Sequence, residues 1–348
     1  MFGTYRTEDV TILLKDITGL VKPLDTKERE SRIQQGTHYS EMLPLEYEPS
    51  PAYLRAYQDA LERYAETTAL AAASVAGQLL ERKGDVVLVS LARAGTSIGV
   101  LIKHYLRRLG VDAPHYSISI IRGRGIDRAA MDWILERHPA SSIQFVDGWT
   151  GKGAIQRELH QAMEDYPSVD PGLAVLSDPA RVAAVSGTQE DFLIASSCLN
   201  STVSGLLSRT FYRSDMIRPS EFHGAAFYRE LLGQDLTYTF INAVEAHFPD
   251  APPAPIRIFD RNRTGLEEVQ EICQEFGMED INLVKPGIGE ATRVLLRRVP
   301  WKVLVRSLDD EAHLGHLYQL AREKRVEVVE YPLQNYRACG LIRKLADN

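Results

Sequence analysis

The sequence predicts an α/β protein built on a mainly parallel sheet, with a second, smaller α/β module at its C-terminal end. Short apolar runs alternate with amphipathic stretches of helical length. Glycine or proline punctuates most junctions, and the pattern breaks at the run DAPPAP (residues 250–255) before resuming.

Residues 1–50 carry scattered charges, Pro23, Gly36, Pro44 and the polar cluster HYSEM, and are expected to form an irregular hood segment. A helix should start at Pro51 with Ser50 as its cap and run to about Lys83, where Gly84 ends it. Residues 85–90 (DVVLVS) read as a strand, followed by LARAGTSIG and a helix to about Leu109. A second strand, His115 to Ile121, leads through RGRGID into a helix near Arg128 to Arg137. A third strand starts at Ile143 and ends in a glycine-rich loop before a helix over Ile155 to Met163. Leu173 to Leu176 and Phe192 to Ala195 are expected as further strands, completing a domain over residues 51–250. Beyond the linker come IRIF, a helix near Leu266 to Phe276, NLVK, a helix from Gly289 to Arg298, KVLV, a helix near Ala312 to Glu323, and VEVVEY. These place a second domain over residues 255–348.

At 348 residues the chain has room for two domains. Its 44% hydrophobic and 25% charged residues exclude a disordered or fibrous protein. A net charge of -7 excludes a nucleic-acid-binding polycation overall. Residues 281–348 nevertheless hold 12 Lys or Arg against 8 Asp or Glu, which leaves this end at +4 and the rest at -11. That asymmetry permits an RNA partner at the C-terminal end. Cys198, Cys273 and Cys339 are scattered, with no CxxC spacing, so a reducing cytoplasm is expected and no zinc site is supported. No signal peptide is legible at the start. The longest apolar run, Ala69 to Leu80, is interrupted by Ser74 and Gln78, so no membrane span is expected.

In an open parallel sheet, ligands collect at the carboxyl ends of the strands. The loop after the first strand offers Arg93, Ala94, Gly95 and Thr96, with backbone N–H groups suited to a pyrophosphate. Arg122 and Arg124 follow the second strand, between flexible glycines that would let them fold over an anion. The third strand ends in Asp147 and the turn Thr150, Gly151, Lys152 and Gly153, which reads as a phosphate cradle beside an acid for ribose hydroxyls or an ion. The same residues also suit a plain strand-to-helix turn with Asp147 as N-cap. Together the three loops fit one polyphosphorylated sugar.

This order resembles the type I phosphoribosyltransferases, with their pyrophosphate loop, mobile basic loop and signature for 5-phosphoribosyl 1-diphosphate (PRPP). The departure is Gly148, where that family usually has a second acid. The chain as a whole resembles the bacterial StiP family, a phosphoribosyltransferase-like domain joined to a Pelota-type RNA-binding domain and associated with tellurium-resistance stress operons. HYSEMLPLEYEPS, LARAGTSIG, FVDGWTGKGAI, NSTVSGLLSRT and FHGAAFYREL carry that resemblance.

It implies first an enzyme that binds PRPP and Mg2+ and transfers ribose 5-phosphate to or from a base-like acceptor in stress-linked nucleoside or RNA metabolism. Asp147, Arg122 and Arg124 would then be catalytic. The family is also called a cysteine protease, for which Cys198 would be the nucleophile with His223 or His38 as base. A third implication is a non-catalytic regulator that senses PRPP or a nucleotide and binds RNA. The C-terminal module resembles the Pelota and L7Ae type. Glu290, Thr292 and Arg293 match that family's RNA-contacting helix start, and Gly289 stands where its asparagine would be.

Overall fold

The computed structural model describes residues 2–258 and 263–342. In chain order the strands are β1 (Thr11–Ile12), β2 (Lys15–Asp16), β3 (Val87–Ala92), β4 (His115–Ile121), β5 (Gly125–Ile126), β6 (Ile143–Trp149), β7 (Leu173–Ser177), β8 (Val185–Thr188) and β9 (Gly224–Ala225). The C-terminal module adds β10 (Val284–Pro286), β11 (Pro300–Val305), β12 (Glu327–Glu330) and β13 (Ala338–Ile342). The helices are α1 (Thr26–Gln34), α2 (Pro51–Arg82), α3 (Ala94–Arg108), α4 (Arg128–Leu135), α5 (Ala154–Met163), α6 (Thr237–Glu245), α7 (Gly265–Glu275), α8 (Ile288–Arg297) and α9 (Glu311–Lys324).

The main sheet runs β1-β4-β3-β6-β7-β8, all parallel, with β5 folded back antiparallel on β4. Its central strands are buried on both faces, which is why they read as apolar runs rather than alternations. Val87, Val89, Leu91 and Phe145 face α4 and α5. Leu88, Val146, Ala174 and Leu176 face α2 and α3. Alanines at 69, 71, 72, 73 and 76 let the long helix α2 lie close to this sheet. At Gly187 in β8 the fit is tightest: a Cβ there would sit 2.5 Å from the Ala71 carbonyl oxygen.

The module's sheet runs β10-β13-β11-β12, with β13 antiparallel to both neighbours. Its central strand β13 was not expected, because Cys339 and Gly340 break the apolar run. Gly340 is there because α8 lies on it; a Cβ would come within 3.0 Å of the Val294 side chain and 3.2 Å of the Ala291 Cα.

Two strand expectations need correction. Phe192 to Ala195 is no strand; it runs as irregular chain into a 3-10 turn at Ala195–Cys198. Asp191 beside it bonds the start of α8, so this stretch serves the module rather than a ladder. The edge is taken by β8, whose sequence VSGT carries too little apolar signal to be read as a strand. The N-terminal segment also supplies β1 to the main sheet, and β2 pairs with β9. Of IRIF, Ile256 makes an isolated parallel bridge to Thr188, and Phe259 lies outside the described residues. Among the described residues no helix is long and apolar enough to cross a membrane.

Candidate functional site

The sheet grows to one side of β3 through β4 and to the other through β6, so the crevice where ligands collect opens at the tips of β3 and β6. A cavity of about 220 Å³ lies there. Arg93 and Ala94 line it from the β3–α3 turn, and Asp147 and Trp149 from β6. Arg293 enters from the module, and Ser196, Leu199, Asn200 and Ser204 form a further wall.

Arg93 is held in place by its Nη1, which donates to the Leu207 carbonyl at 2.7 Å. Gly95 and Thr96, expected to cradle phosphate, are buried instead. A Cβ at Gly95 would stand 2.5 Å from the Val146 carbonyl oxygen, so this glycine lets α3 touch the end of β6. Thr96 shares a hydrogen bond with Ser117 at 2.8 Å inside the core.

Asp147 is half-buried and accepts the Gly148 N–H at 2.8 Å. Burial pushes its carboxyl up to about 6, against the opposing pull of the Gly148 N–H and the Arg293 charge. Burial does the same to Asp127 and Asp191, each also raised to about 6. A carboxyl raised on folding stabilises the fold below its unfolded value near 3.8, and that stability is lost as pH rises through about 6. Asp147→Asn is therefore expected to raise stability at pH 8 by on the order of 1–3 kcal/mol, with no gain near pH 4. Urea melts at the two pH values check this; an equal shift at both would refute it.

The glycine-rich turn is a joint between the two halves of the chain. Thr150 donates to Asp178 at 2.6 Å, and the Gly151 carbonyl accepts the Tyr336 hydroxyl at 2.6 Å. The Lys152 ammonium is buried and donates to the carbonyls of Ile281 and Val284. Burial lowers its pKa to about 8, helped by the nearby charges of Lys285 and Arg122. Gly153, at φ +76°, is the N-cap of α5, a role that Asp147 does not take.

Arg122 and Arg124 are not among the residues lining the cavity. Arg122 reaches Asn282 at 3.5 Å, and Arg124 pairs with Glu41 and lies over the Tyr212 ring. Between them the Gly123 and Gly125 N–H groups donate to the Glu158 carboxylate at 2.8 and 2.9 Å. A divalent metal does not fit the site. Asp147 has Gly148 as its neighbour, Asp178 accepts Thr150, Val182 and Ala183, and no cluster of three or more His, Cys, Asp or Glu is found among the described residues.

Cys198 is buried, and its thiol donates to the Ala56 carbonyl at 3.6 Å. The histidines expected beside it are held elsewhere. His223 bonds Ser119 at 2.9 Å, and His38 bonds Ser40 at 2.8 Å and the Arg122 carbonyl at 3.1 Å. In α8, Thr292 is buried on His316 at 3.0 Å, and Glu290 pairs with Arg293 at 3.0 Å. Arg293 stands over the Trp149 ring at 5.7 Å, so this helix turns its expected RNA-contacting face toward the body.

Sequence reasoning expected residues 196–250 to form part of a hood and the run from Asn200 to close the site, and Ser196, Asn200 and Ser204 do line the cavity; it missed Trp149 and Asp191. Trp149 had a signal, since it follows Asp147 by two residues on the same strand. Asp191 had none, because its partners Ile288 and Arg337 lie far away in the chain.

Residues 3–245 match the family model described as tellurite-like stress resistance cysteine protease StiP. The cysteine protease StiP of Acinetobacter baylyi is 38% identical over 364 residues, covering 99% of this chain and 94% of that protein. The chain belongs to the StiP family. Residues 263–344 match the PELOTA RNA binding domain. Two solved structures share limited likeness at a TM-score of 0.25 each. One is a hypothetical protein from Neisseria gonorrhoeae with bound ppGpp, at 11% identity over 34% of this chain and 70% of that one. The other is a hypoxanthine-guanine phosphoribosyltransferase from Bacillus anthracis, at 13% identity over 36% and 71%.

The family membership corrects the transferase expected from the loop order. Both the family model and the Acinetobacter relative are named as a cysteine protease. The physical reason lies in the glycine-rich turn, whose lysine ammonium is engaged by the carbonyls of Ile281 and Val284 rather than open to phosphate. PRPP, the base-like acceptor and Mg2+ fall with that expectation.

Proposed function

We propose that this chain is a thiol-dependent peptidase that works in the cleft at the strand tips with Cys198 as its nucleophile, and that its C-terminal module engages RNA. The observation that supports it most is the state of the wall around Cys198. Ser196, Leu199 and Asn200 flank the cysteine and line the cavity. In the same wall the hydroxyls of Ser197, Ser201 and Thr202 are buried with no hydrogen-bond partner among the described residues. Buried polar atoms left in this way cost free energy, so the two short 3-10 turns at Ala195–Cys198 and Ser201–Val203 gain by rearranging. A modest rotation of this wall would carry the thiol from the Ala56 carbonyl into the cleft.

Once there, the thiol meets Asp147, whose raised pKa of about 6 suits proton transfer near neutral pH. The thiol proton passes to the Asp147 carboxylate, and the sulfur attacks the scissile carbonyl carbon. The C–N bond breaks as that proton moves to the leaving amine, and water then hydrolyses the thioester. Arg93 and Arg293 favour the thiolate by charge. The positive end of α3, at Ala94, borders the cavity where the oxyanion forms.

Cys339 lies in the core of the module, and burial pushes its thiol far up. Burial also raises the Cys273 thiol, on α7. Cys198→Ser is expected to reduce peptide-bond cleavage by about a hundredfold or more, with Cys273→Ser near wild type. Iodoacetamide mapping on the full chain should find carboxamidomethylation at Cys198. Full cleavage by Cys198→Ser, or modification confined to Cys273, would overturn the assignment.

A further inference from the structure

Arg93 stands in the cleft anchored by a neutral oxygen rather than by an acid. Two guanidiniums, Arg93 and Arg293, line the cavity against one carboxylate, Asp147. Arg293 is answered on its own helix, where its Nη1 pairs with the Glu290 carboxylate at 3.0 Å. Asp147 accepts the Gly148 N–H at 2.8 Å. Arg93 is half-buried, and its Nη1 donates to the Leu207 carbonyl at 2.7 Å. Among the described residues no carboxylate forms an ion pair with Arg93.

A guanidinium fixed at one nitrogen is pre-organised, and the N–H groups left on Nη2 and Nε form a fork that matches the two oxygens of a carboxylate. The neighbouring walls strengthen that attraction, because Leu91, Ile120, Trp149 and Ile155 are apolar and keep the local dielectric low. They also limit what enters. The cavity, at about 220 Å³, is below the roughly 300–1,000 Å³ usual for a small-molecule pocket, so it takes one side chain or one chain end beside the reacting carbonyl. A phosphoryl group would bring about two negative charges past Asp147 in that space, whereas a carboxylate brings one.

We infer that Arg93 selects the substrate by a carboxylate next to the cut bond, so that the preferred substrates are peptides with an acidic group at that place. This rests on the peptidase reading of the cleft and adds the class of substrate it takes. The carboxylate has two sources, an aspartate or glutamate side chain or the free C-terminal end of the substrate, and Arg93 reads the same group in both.

Digestion of dephosphorylated casein by the full chain tests it, with the new ends mapped by mass spectrometry. Per available bond, wild-type cuts should fall about ten- to a hundredfold more often beside Asp or Glu than beside Asn or Gln, or else at the last bond of the substrate. Internal cuts assign the side chain as the source, and trimming of synthetic casein peptides that stops when their C-terminus is amidated assigns the chain end. Arg93→Gln slows every cut, because the same charge favours the thiolate, so the readout is the ratio of cuts at carboxylates to cuts at neutral bonds, which should fall to about one. Arg93→Lys keeps the charge and should keep most of the preference, and Arg93→Glu should turn it toward bonds beside Lys. Such a reversal cannot come from lost folding, and thermal melts of each variant check the fold directly. Wild-type cuts spread evenly over acidic and neutral bonds, or a preference that Arg93→Gln retains or that only Arg293→Gln abolishes, overturn the inference and leave the peptidase standing. Wild-type chain that cuts no casein overturns both. A preference seen only with phosphorylated casein, at its phosphoserines, makes the seat one for phosphate and overturns the inference.

Discussion

Replacing Asp191 by alanine is expected to release the C-terminal module from the body. Both carboxylate oxygens accept the Ile288 N–H at 3.1 Å, and one also accepts the Arg337 N–H at 2.9 Å. The first of these donors opens α8, where the helix leaves its N–H groups unsatisfied unless an acceptor is supplied. Removing the carboxylate strands these donors in a dry joint, at a cost of about 3–5 kcal/mol. Calorimetry should then resolve a separate, earlier transition for the module, and protease should cut in the DAPPAP run. Asp191→Asn keeps one acceptor oxygen and should fall between. A single transition at the wild-type temperature in Asp191→Ala would refute this account of the joint.

Gly95→Ala is expected to damage the cleft more than any other single methyl addition. The new Cβ would press on the Val146 carbonyl oxygen at 2.5 Å and on the Asp147 Cα at 3.1 Å. Both are backbone and neither can swing aside, so α3 and the tip of β6 must part. The stability cost should be about 1–3 kcal/mol. Cleavage should fall further than stability does, because the displaced strand carries Asp147 with it and small misplacements of reacting groups cost rate steeply. Gly151→Ala is the control, since a Cβ there would meet nothing within 4 Å. Equal losses in the two variants, measured as melting temperature and cleavage rate, would show that the close approach at Gly95 does not matter.

That contrast also shows where the sequence was legible. The main sheet could be read because β3, β4, β6 and β7 are buried on both faces and so appear as apolar runs closed by glycines. β1, β8 and β13 are short or rich in small residues, and their partners set their register, so nothing local announces them. In the cleft, Arg93 and Asp147 were found because a polar residue directly after a buried strand must emerge at the sheet's edge. The meaning of the glycine-rich turn was misread. Glycine spacing records only where backbone is exposed, and the groups that fill this turn come from residues 281, 284 and 336. The wall around Cys198 could be placed only as part of a hood, since it is built from 3-10 turns and carries no periodicity.

The contacts of Lys152 bear on how the two halves can be handled. Its ammonium sits in a socket whose acceptors belong to the other half, and Tyr336 returns the exchange by capping Gly151. Cut at the proline-rich connector, each piece would keep one side of that exchange and lose the other. The halves are thus not interchangeable cassettes, and transplanting a foreign RNA-binding module onto this body would require residues that rebuild the socket.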